Sequence, residues 1–295
     1  IMEHLEEAGI HSGDSTCFIP TQNVSENILE LVRKQTEAIG LGLNIRGCFN
    51  IQFAIQGDDL YVLEVNPRSS RTVPFVAKSS GLPLARIAAN ITIGIPLSKQ
   101  EIPIRTSGQI CVKAPVFPFI KLRGLDPAPG PEMKSTGEVF GSDISADVAY
   151  LKARLATEVP VAKGGGAYLT VRDQDKKNLL NSASKLIEMG FNLYATPGTA
   201  DYLREYQIPV EVAYRIRESK HPDALDLMRQ GKISFIVNVP TVSGGAVRDG
   251  NMMRRLAVEL NIPFVTTIRG ADMEVAAIKA QQKGIVEPRR LKVNY

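Results

Sequence analysis

The sequence predicts a mixed fold, with an α+β first part followed by an α/β part built on a parallel sheet. Two observations carry this prediction. From Gly166 onward, apolar strand-like runs alternate with helix-like segments, which is typical of a parallel sheet covered by helices. Earlier in the chain, two apolar runs are separated by residues 56–59 (QGDD), whose composition indicates the turn of a β-hairpin. We place the boundary between the two parts near Val159.

The first part begins with a predicted helix. Residues 26–39 carry apolar side chains at helical spacing, and Ser25 before them is a residue type that favours helix N-caps. The hairpin follows, and two further helices are predicted in "VAKSSG" after Pro74 and in "LPLARIAANITIG". Residues 103–141 are rich in proline and glycine, which predicts loop-rich, extended structure that wraps another surface.

A helix is predicted in "SADVAYLKARLA", and "TEVPVAKGGG" has the composition of a linker. The predicted strands of the α/β part are "AYLTV", "NLYAT", "VEVAY", "SFIVNV" and "PFVTT". The helices between and after them are predicted near residues 175–188, 199–206, 222–230, 247–260 and 271–283. We therefore divide the chain into 1–100, 101–158 and 159–295.

Composition excludes some classes of protein. The net charge of +4 over 295 residues is too small to predict nucleic-acid binding. Three cysteines without C-x-x-C spacing argue against a disulfide framework and favour a reducing, cytoplasmic compartment. No apolar run approaches the roughly 18 residues of a membrane span, so we expect no membrane partner. The chain begins at Ile1, and we expect it to be a piece of a longer protein.

The stretch "LEVNPRSSRTVPF" at 63–75 places a carboxylate, an amide and two arginines directly after an apolar strand. Because side chains alternate along a strand, Glu64 and Asn66 share one face, and Gln52 lies across the hairpin from them. Carboxylate and amide oxygens suit a hard cation such as magnesium, and Arg68 and Arg71 offer forked donors to phosphate. From spacing alone, an ordinary surface ion pair is an equally good interpretation.

A family resemblance favours the metal site. "LEVNPR" with the preceding "NIQFAI" resembles the metal-binding hairpin of ATP-grasp enzymes, and the extension "SSRTVPFVAKSSGLPLARIAA" is similar to the large subunit of carbamoyl phosphate synthetases. Within that subunit, "RTVPF" is similar to the second, carbamate-phosphorylating half. "EEAGIHSGDS" and "GPEMKSTGEVFG" also resemble segments of this family and occur in the same order.

The resemblance implies ATP and Mg²⁺ or Mn²⁺ as cofactors, with specific residues for each. It assigns the divalent ions, and through them the ATP phosphates, to Gln52 and Glu64, with Asn66 completing one coordination shell. It assigns the phosphoryl group and carbamate to Arg68 and Arg71, and the nucleotide to Gly9, Ile10, His11 and Ser12. Without the resemblance, we would interpret His11 as a packing residue of a turn.

The resemblance also implies elements that lie outside this chain. An ATP-grasp site needs a glycine-rich lid, which would precede Ile1, so we expect no turnover by these 295 residues alone. The family further implies a glutamine amidotransferase small subunit as the ammonia-donating partner of the full-length protein. We also expect an oligomer.

Polar and small residues collect where the strands of the α/β part are predicted to end. In open parallel sheets, ligands bind beyond the carboxyl ends of the strands. The predicted rim of an anion site consists of Thr196, Thr199, Asn238, Thr241, Ser243 and Thr266, with Lys185 and Arg215 adding positive charge. Each of these residues taken alone is also an ordinary loop or cap residue.

This part resembles the methylglyoxal-synthase-like regulatory domain of the same family. "ATPGTADYL" is similar to the family form that accepts a nucleotide-type effector. "ESKHPDAL" and "NVPT" depart from the catalytic segments of true methylglyoxal synthases, which disfavours lyase chemistry. Three functions stay open: part of an ATP-dependent ligase with a regulatory domain, a sensing and oligomerisation module without catalysis, and, least favoured, a lyase.

Overall fold

The computed structural model describes residues 1–102, 108–119, 121, 124–240, 245–284 and 286–288, without the side chains of residues 245 and 246. Strands β1 to β6 span Glu3–His4, Cys17–Ile19, Asn50–Gln56, Asp59–Asn66, Ile110–Val116 and Gly137–Asp143. Helices α1 to α4 span Glu26–Gly42, Val73–Ser80, Leu84–Thr92 and Ala146–Leu155.

After residue 159, strands β7 to β11 span Gly165–Thr170, Phe191–Ala195, Glu211–Val212, Ile233–Asn238 and Phe264–Val265. Helices α5 to α9 span Lys176–Glu188, Pro197–Glu205, Ala224–Arg229, Gly245–Glu259 and Ile268–Gln282. In the part of the chain that the structure describes, no helix is long and apolar enough to cross a membrane.

The predicted parallel α/β sheet is confirmed. Its strand order is β11-β10-β7-β8-β9, and every neighbouring pair in it is parallel. Two helices of this part begin at capping residues. Asp223 and Asp226 form a reciprocal capping box at α7, and Thr267 accepts a hydrogen bond from the backbone of Gly270 at α9. The sheet therefore has the βα order that the sequence predicts.

The predicted hairpin is also confirmed. Strands β3 and β4 pair antiparallel from Asn50↔Asn66 to Gln56↔Asp59, so that residues 57 and 58 form the turn. Gly57 has a φ of 60°, a left-handed conformation that glycine adopts without steric cost. The sequence assigned four residues to this turn, and two of them belong to the strands.

The prediction of loop-rich structure in residues 103–141 omitted two strands. β5 and β6 pair antiparallel over seven residue pairs, within a sheet of order β1-β2-β5-β6. The prolines of this segment argued against strands in the sequence. In the structure, β2 pairs only with residues Cys111 to Lys113 of β5. Pro115 therefore lies where β5 has a neighbour on one side, an edge position that tolerates proline. Residues 103–107, 120 and 122–123 lie outside the described residues.

A single large hydrophobic cluster joins the two parts. It contains Phe18 and Val112 of the four-stranded sheet, Leu151 of α4, and Leu169 and Ile278 of the α/β part, all 2% exposed or less. A second cluster lies on the other face of the parallel sheet, between β10, α7 and α8. Helix α4 thus packs as a shared layer between the four-stranded sheet and helix α9 of the α/β part.

Candidate functional site

The hairpin brings the predicted metal ligands together. Gln52 pairs directly with Glu64, and Asn50 pairs with Asn66. The amide nitrogen of Asn66 donates to Glu64 Oε1 at 3.1 Å, and Gln52 Nε2 lies 3.5 Å from the carbonyl oxygen of Ile10. All three predicted ligands line one cleft of 780 Å³. This donor set of one carboxylate and two amide oxygens fits a hard divalent cation such as Mg²⁺ or Mn²⁺.

The predicted nucleotide-binding strip forms one wall of this cleft. His11 and Ser12 line it, while Gly9 and Ile10 are not among its lining residues. Gly9 lies in a turn with a φ of 97°, and Ile10 contacts Gln52 through its carbonyl. His11 Nδ1 accepts a hydrogen bond from the backbone of Gly13 at 3.0 Å. The imidazole therefore stabilises the turn, as expected for a packing residue, and it also faces the cleft.

Both predicted arginines line the same cleft. Arg71 Nη1 donates to the hydroxyl and the carbonyl of Ser135 at 3.0 and 3.2 Å, and Arg68 Nη1 donates to the carbonyl of Ser69 at 3.2 Å. Both are exposed in the chain as described. A guanidinium has five donors, so these contacts leave donors that can bind phosphate oxygens.

The sequence analysis missed a buried ionic group beside the arginines. Lys113 of β5 is fully buried, and its Nζ donates to the carbonyl of Ser12 at 3.1 Å and lies 3.9 Å from Glu138 Oε2. Burial raises the pKa of Glu138, while the charges of Lys113 and Arg71 oppose this shift. The available signal was a lysine inside the apolar strand "ICVKAPV", since a charge at such a position needs a partner.

Two further titratable groups lie at the edge of the cleft. Burial and the charge of Lys113 lower the pKa of His4 to about 4, so this imidazole is neutral near pH 7. Burial raises the pKa of Glu6 to about 7, although hydrogen bonds from the backbone of Glu6 and Thr16 and the charge of Lys113 oppose the shift. Glu6 also lines a second cavity of 190 Å³ between the two parts of the chain.

The carboxyl ends of the parallel strands form a smaller cavity of 50 Å³. Of the predicted effector residues, Thr196, Arg215 and Asn238 line it together. Thr199 lies behind them, because its hydroxyl accepts a hydrogen bond from Thr196 at 3.2 Å. Using about 10 to 15 Å³ per water, the cavity has room for about four waters, which matches a phosphate-sized group.

The structure does not bring the other predicted effector residues to this cavity. Thr266 lines the 190 Å³ cavity instead. Lys185 lies in the last turn of α5, and a helix that follows a parallel strand begins at the ligand edge and runs away from it. At 1.5 Å per residue, nine residues place Lys185 about 14 Å along the helix from its start. Thr241 and Ser243 lie outside the described residues.

Lys176, at the start of α5, is a cation near this edge of the sheet that the sequence analysis did not single out, and it does not line the 50 Å³ cavity. Its Nζ would lie 3.4 Å from a Cβ placed on Gly198, in the first turn of α6, and it pairs with Asp173 at 2.7 Å. A lysine in the first turn after β7 was the available signal, because that turn faces the carboxyl edge of the sheet. The residues that do line the 50 Å³ cavity include Tyr168, Thr170 and Asp249.

Comparisons with known proteins match two segments of the chain to two family models. Residues 2–100 match the family described as the carbamoyl-phosphate synthase L chain, ATP binding domain, and residues 178–266 match the MGS-like domain. The chain is 45% identical over 296 residues to the C-terminal section of the carbamoyl phosphate synthase large chain of Methanocaldococcus jannaschii, covering 96% of this chain and 48% of that one.

Two further relatives show the same similarity. The corresponding section from Methanopyrus kandleri is 45% identical over 294 residues, which cover 97% of this chain and 54% of that one. A large chain from Methanosarcina barkeri is 44% identical over 285 residues, which cover 96% of this chain and 71% of that one. The chain thus spans about half the length of the first two relatives. With 44% identity across 71% of a relative, this chain belongs to the carbamoyl phosphate synthase large-chain family.

Proposed function

We propose that this chain carries part of the site that uses ATP to phosphorylate carbamate to carbamoyl phosphate, together with an effector-binding domain. The observation that carries the proposal is the pairing of Gln52 with Glu64 in the same 780 Å³ cleft as Arg68 and Arg71. An oxygen-donor pair and two guanidinium groups facing one space suit a reaction between two anions. The supporting similarity is to the ATP-binding domain of the family.

The residues of the cleft would act by position and charge. Arg68 and Arg71 would bind phosphate and carbamate oxygens, which lowers the repulsion between the two anions and aligns the carbamate oxygen with the terminal phosphorus. Gln52, Glu64 and Asn66 would hold Mg²⁺ or Mn²⁺, which when bound neutralises phosphate charge. His11 and Ser12 would line the nucleotide. The carbamate oxygen itself attacks phosphorus and ADP leaves, so the transfer requires no covalent enzyme intermediate.

The substitution Glu64→Gln in the longer protein that contains this chain tests the proposal. We expect loss of the reverse reaction, ATP formation from ADP and carbamoyl phosphate, by a factor of 100 or more, because a charged metal ligand becomes neutral. ATP hydrolysis that depends on bicarbonate alone should continue. Asp59→Asn, at the other end of β4, is the matched control and should leave both reactions unchanged. Equal loss of both reactions in Glu64→Gln, with the fold intact, would contradict this assignment.

For the second part of the chain we propose a nucleotide-type effector whose phosphate binds in the 50 Å³ cavity. Thr196, Arg215 and Asn238 support this, because they offer a hydroxyl, a cation and an amide to one anion. Calorimetric titration of this chain with UMP and IMP tests it. Binding of either nucleotide without binding of Mg-ATP would favour a sensing module as the stand-alone role, and release of methylglyoxal from dihydroxyacetone phosphate would favour the lyase.

The remaining parts of the proposal concern the longer protein. A glutamine amidotransferase small subunit would supply ammonia, and the assembly would be an oligomer, as the relatives' designation as a large chain supports. The three cysteines, which have no C-x-x-C spacing, support a reducing, cytoplasmic setting. We expect this chain by itself not to form carbamoyl phosphate, and ATP-dependent formation of that product by the isolated chain would contradict this expectation.

A further inference from the structure

A buried arginine connects the effector cavity with the first part of the chain. Arg254 of α8 is 2% exposed. Its Nη1 donates to Oδ1 of Asn238, which lines the cavity, and its Nε and Nη2 donate to the two carboxylate oxygens of Asp126 at 2.9 and 2.6 Å. One guanidinium therefore binds a residue of the effector cavity and a residue 128 positions earlier in the chain.

Asp126 begins a segment, residues 126–135, which we call the strap. Partial burial would raise the pKa of Asp126, but the hydrogen bonds from Arg254 and from the backbone of Ala128 hold it below its usual value, so the carboxylate is charged. Lys134 folds back along the strap, and its Nζ donates to the carbonyls of Asp126 and Ala128 at 3.0 and 2.6 Å. These bonds fasten the two ends of the strap to each other.

The far end of the strap contacts the candidate catalytic cleft. The backbone N–H groups of Lys134 and Ser135 donate to the carboxylate of Asp14 at 2.7 and 2.9 Å. Arg71 donates to the hydroxyl and the carbonyl of Ser135, and His11 donates its backbone N–H to a carbonyl of the strap at 2.8 Å. Movement of the strap would therefore displace Arg71 and the turn at His11 together.

The chemistry of Asn238 gives the direction of the effect. Arginine has only donors, so Asn238 must present its oxygen to Arg254, and its amide nitrogen is the group that can donate to an anion. Donation to a bound anion polarises the amide and makes its oxygen a better acceptor. An anion in the cavity should therefore strengthen the bond from Arg254 to Asn238 and hold the guanidinium, Asp126 and the strap more firmly.

A glycine inside α8 makes room for this arrangement. A Cβ on Gly250 would lie 2.7 Å from Arg254 Nη1 and 3.3 Å from Asn238 Oδ1. Glycine in a helix interior lowers helix stability relative to alanine, so helix propensity does not explain a glycine at position 250. It is, however, the residue that allows the guanidinium to lie between the helix and Asn238.

We propose that Arg254 is a positioning residue that transmits occupancy of the effector cavity through Asp126 and the strap to Arg71. This inference rests on the proposed effector binding, and it adds the route by which that binding changes the catalytic cleft. Coupling of this kind is reciprocal: if the effector makes the strap bind Arg254 more tightly, then an ordered strap makes the chain bind the effector more tightly.

Hydrogen exchange of this chain with and without saturating UMP or IMP tests the inference, using calorimetry to establish binding first. In the unmodified chain, the bound nucleotide should slow exchange of the strap amides, above all those of Lys134 and Ser135, by about fivefold or more, the lower end of typical allosteric coupling. In Asp126→Asn the nucleotide should still bind, but the slowing should disappear. Asn can still accept the Ala128 bond, which favours retention of the fold.

Two further variants distinguish transmission from a general loss of stability. Glu274→Gln neutralises another acid that pairs with an arginine, the half-buried Arg154 at 3.0 Å, but Glu274 contacts neither the strap nor the effector cavity. This variant should keep the nucleotide-induced slowing. Gly250→Ala displaces the Arg254 guanidinium without changing any charge, and it should abolish the nucleotide-induced slowing of exchange.

Each result decides a separate point. Binding without slowing in the unmodified chain, or equal slowing in Asp126→Asn, would overturn the route and leave the proposed effector site intact. Failure of both nucleotides to bind would overturn the effector function and the inference that rests on it. Failure of phosphoryl transfer in the longer protein would contradict the catalytic proposal alone, because the exchange measurement does not depend on it.

Discussion

Glu6 is the residue whose burial has the clearest measurable consequence. Its carboxyl lies between the 780 Å³ cleft and the 190 Å³ cavity, and it accepts a hydrogen bond from the backbone of Thr16 at 2.6 Å. Burial raises its pKa from 4.5 to about 7. The folded chain therefore keeps a proton on Glu6 at pH values where the unfolded chain has lost it.

This difference predicts a pH dependence of stability. A carboxyl with a raised pKa stabilises the fold fully below about pH 4.5, and this contribution is lost as the pH rises through about 7. His4, whose pKa is lowered to about 4, acts in the opposite direction, so the comparison must be between the chain and Glu6→Gln. Between about pH 4.5 and 8, the unfolding free energy of Glu6→Gln should rise relative to the unmodified chain by about 1 to 2 kcal/mol, since solvent screens part of the charge.

Urea unfolding at several pH values measures this difference. His4→Gln serves as the comparison variant, because removal of the histidine should change the pH dependence with the opposite sign. A difference between Glu6→Gln and the unmodified chain that stays constant from pH 4.5 to 8 would contradict the raised pKa.

For single residues, the sequence could predict which side chains lie next to each other only where both belong to the same hairpin. Gln52, Glu64 and Asn66 could be paired because strand alternation and a short turn fix their register. Lys113 could not be paired in this way, because its partner Ser12 lies 101 positions earlier in the chain. The burial of Glu6 depends on tertiary packing, which no local pattern predicts. Lys185 was predicted at the effector site for a different reason, since the rim prediction treated helix residues without regard to the direction of α5.

Among the elements, β6 and α4 pack with no free space at Gly141. A Cβ on Gly141 would lie 2.3 Å from the carbonyl oxygen of Ala149 and 2.4 Å from the backbone nitrogen of Ala153. Both neighbours are backbone atoms of a helix and cannot move away as the end of a long side chain can. Glycine at 141 thus sets the distance between the four-stranded sheet and α4.

Gly141→Ala should destabilise the chain by about 3 kcal/mol or more, because the added methyl group must separate β6 from α4. Gly137→Ala is the matched control, since it lies on the same strand and a Cβ there meets nothing within 4 Å. Its effect should be within about 0.5 kcal/mol. Chemical denaturation of both variants measures the difference, and a Gly141→Ala variant as stable as Gly137→Ala would show that α4 packs less closely than described.

Element prediction succeeded where periodicity was local and failed where pairing was distant. The βα alternation after Gly166 and the hairpin each carry their own pattern of apolar residues and turns. Strands β1 and β2 are two and three residues long, too short for a pattern, and β5 contains a proline. Their sheet is specified by pairing between residues nearly 100 positions apart, such as Cys17 with Lys113.

The whole molecule has a core that does not end at the predicted boundary near Val159. The large hydrophobic cluster contains residues from both sides of it, and α4 packs against α9 as well as against β5 and β6. Two buried or half-buried ion pairs, Arg154 with Glu274 and Arg254 with Asp126, also join the two parts. The sequence pattern therefore changes at residue 159, but the hydrophobic core continues across that position.

A continuous core predicts that the two parts unfold together. Heating should give one transition, with the calorimetric enthalpy equal to the van't Hoff enthalpy, because neither part keeps its apolar layer when the other unfolds. Leu151→Ala, at a fully buried position of α4, should lower the free energy of unfolding by about 2 to 5 kcal/mol and shift this single transition without splitting it. Leu155→Ala, at the 49% exposed end of the same helix, controls for helix propensity and should have little effect. Two separated transitions, with Leu151→Ala shifting only one of them, would mean that the parts fold independently despite the shared layer.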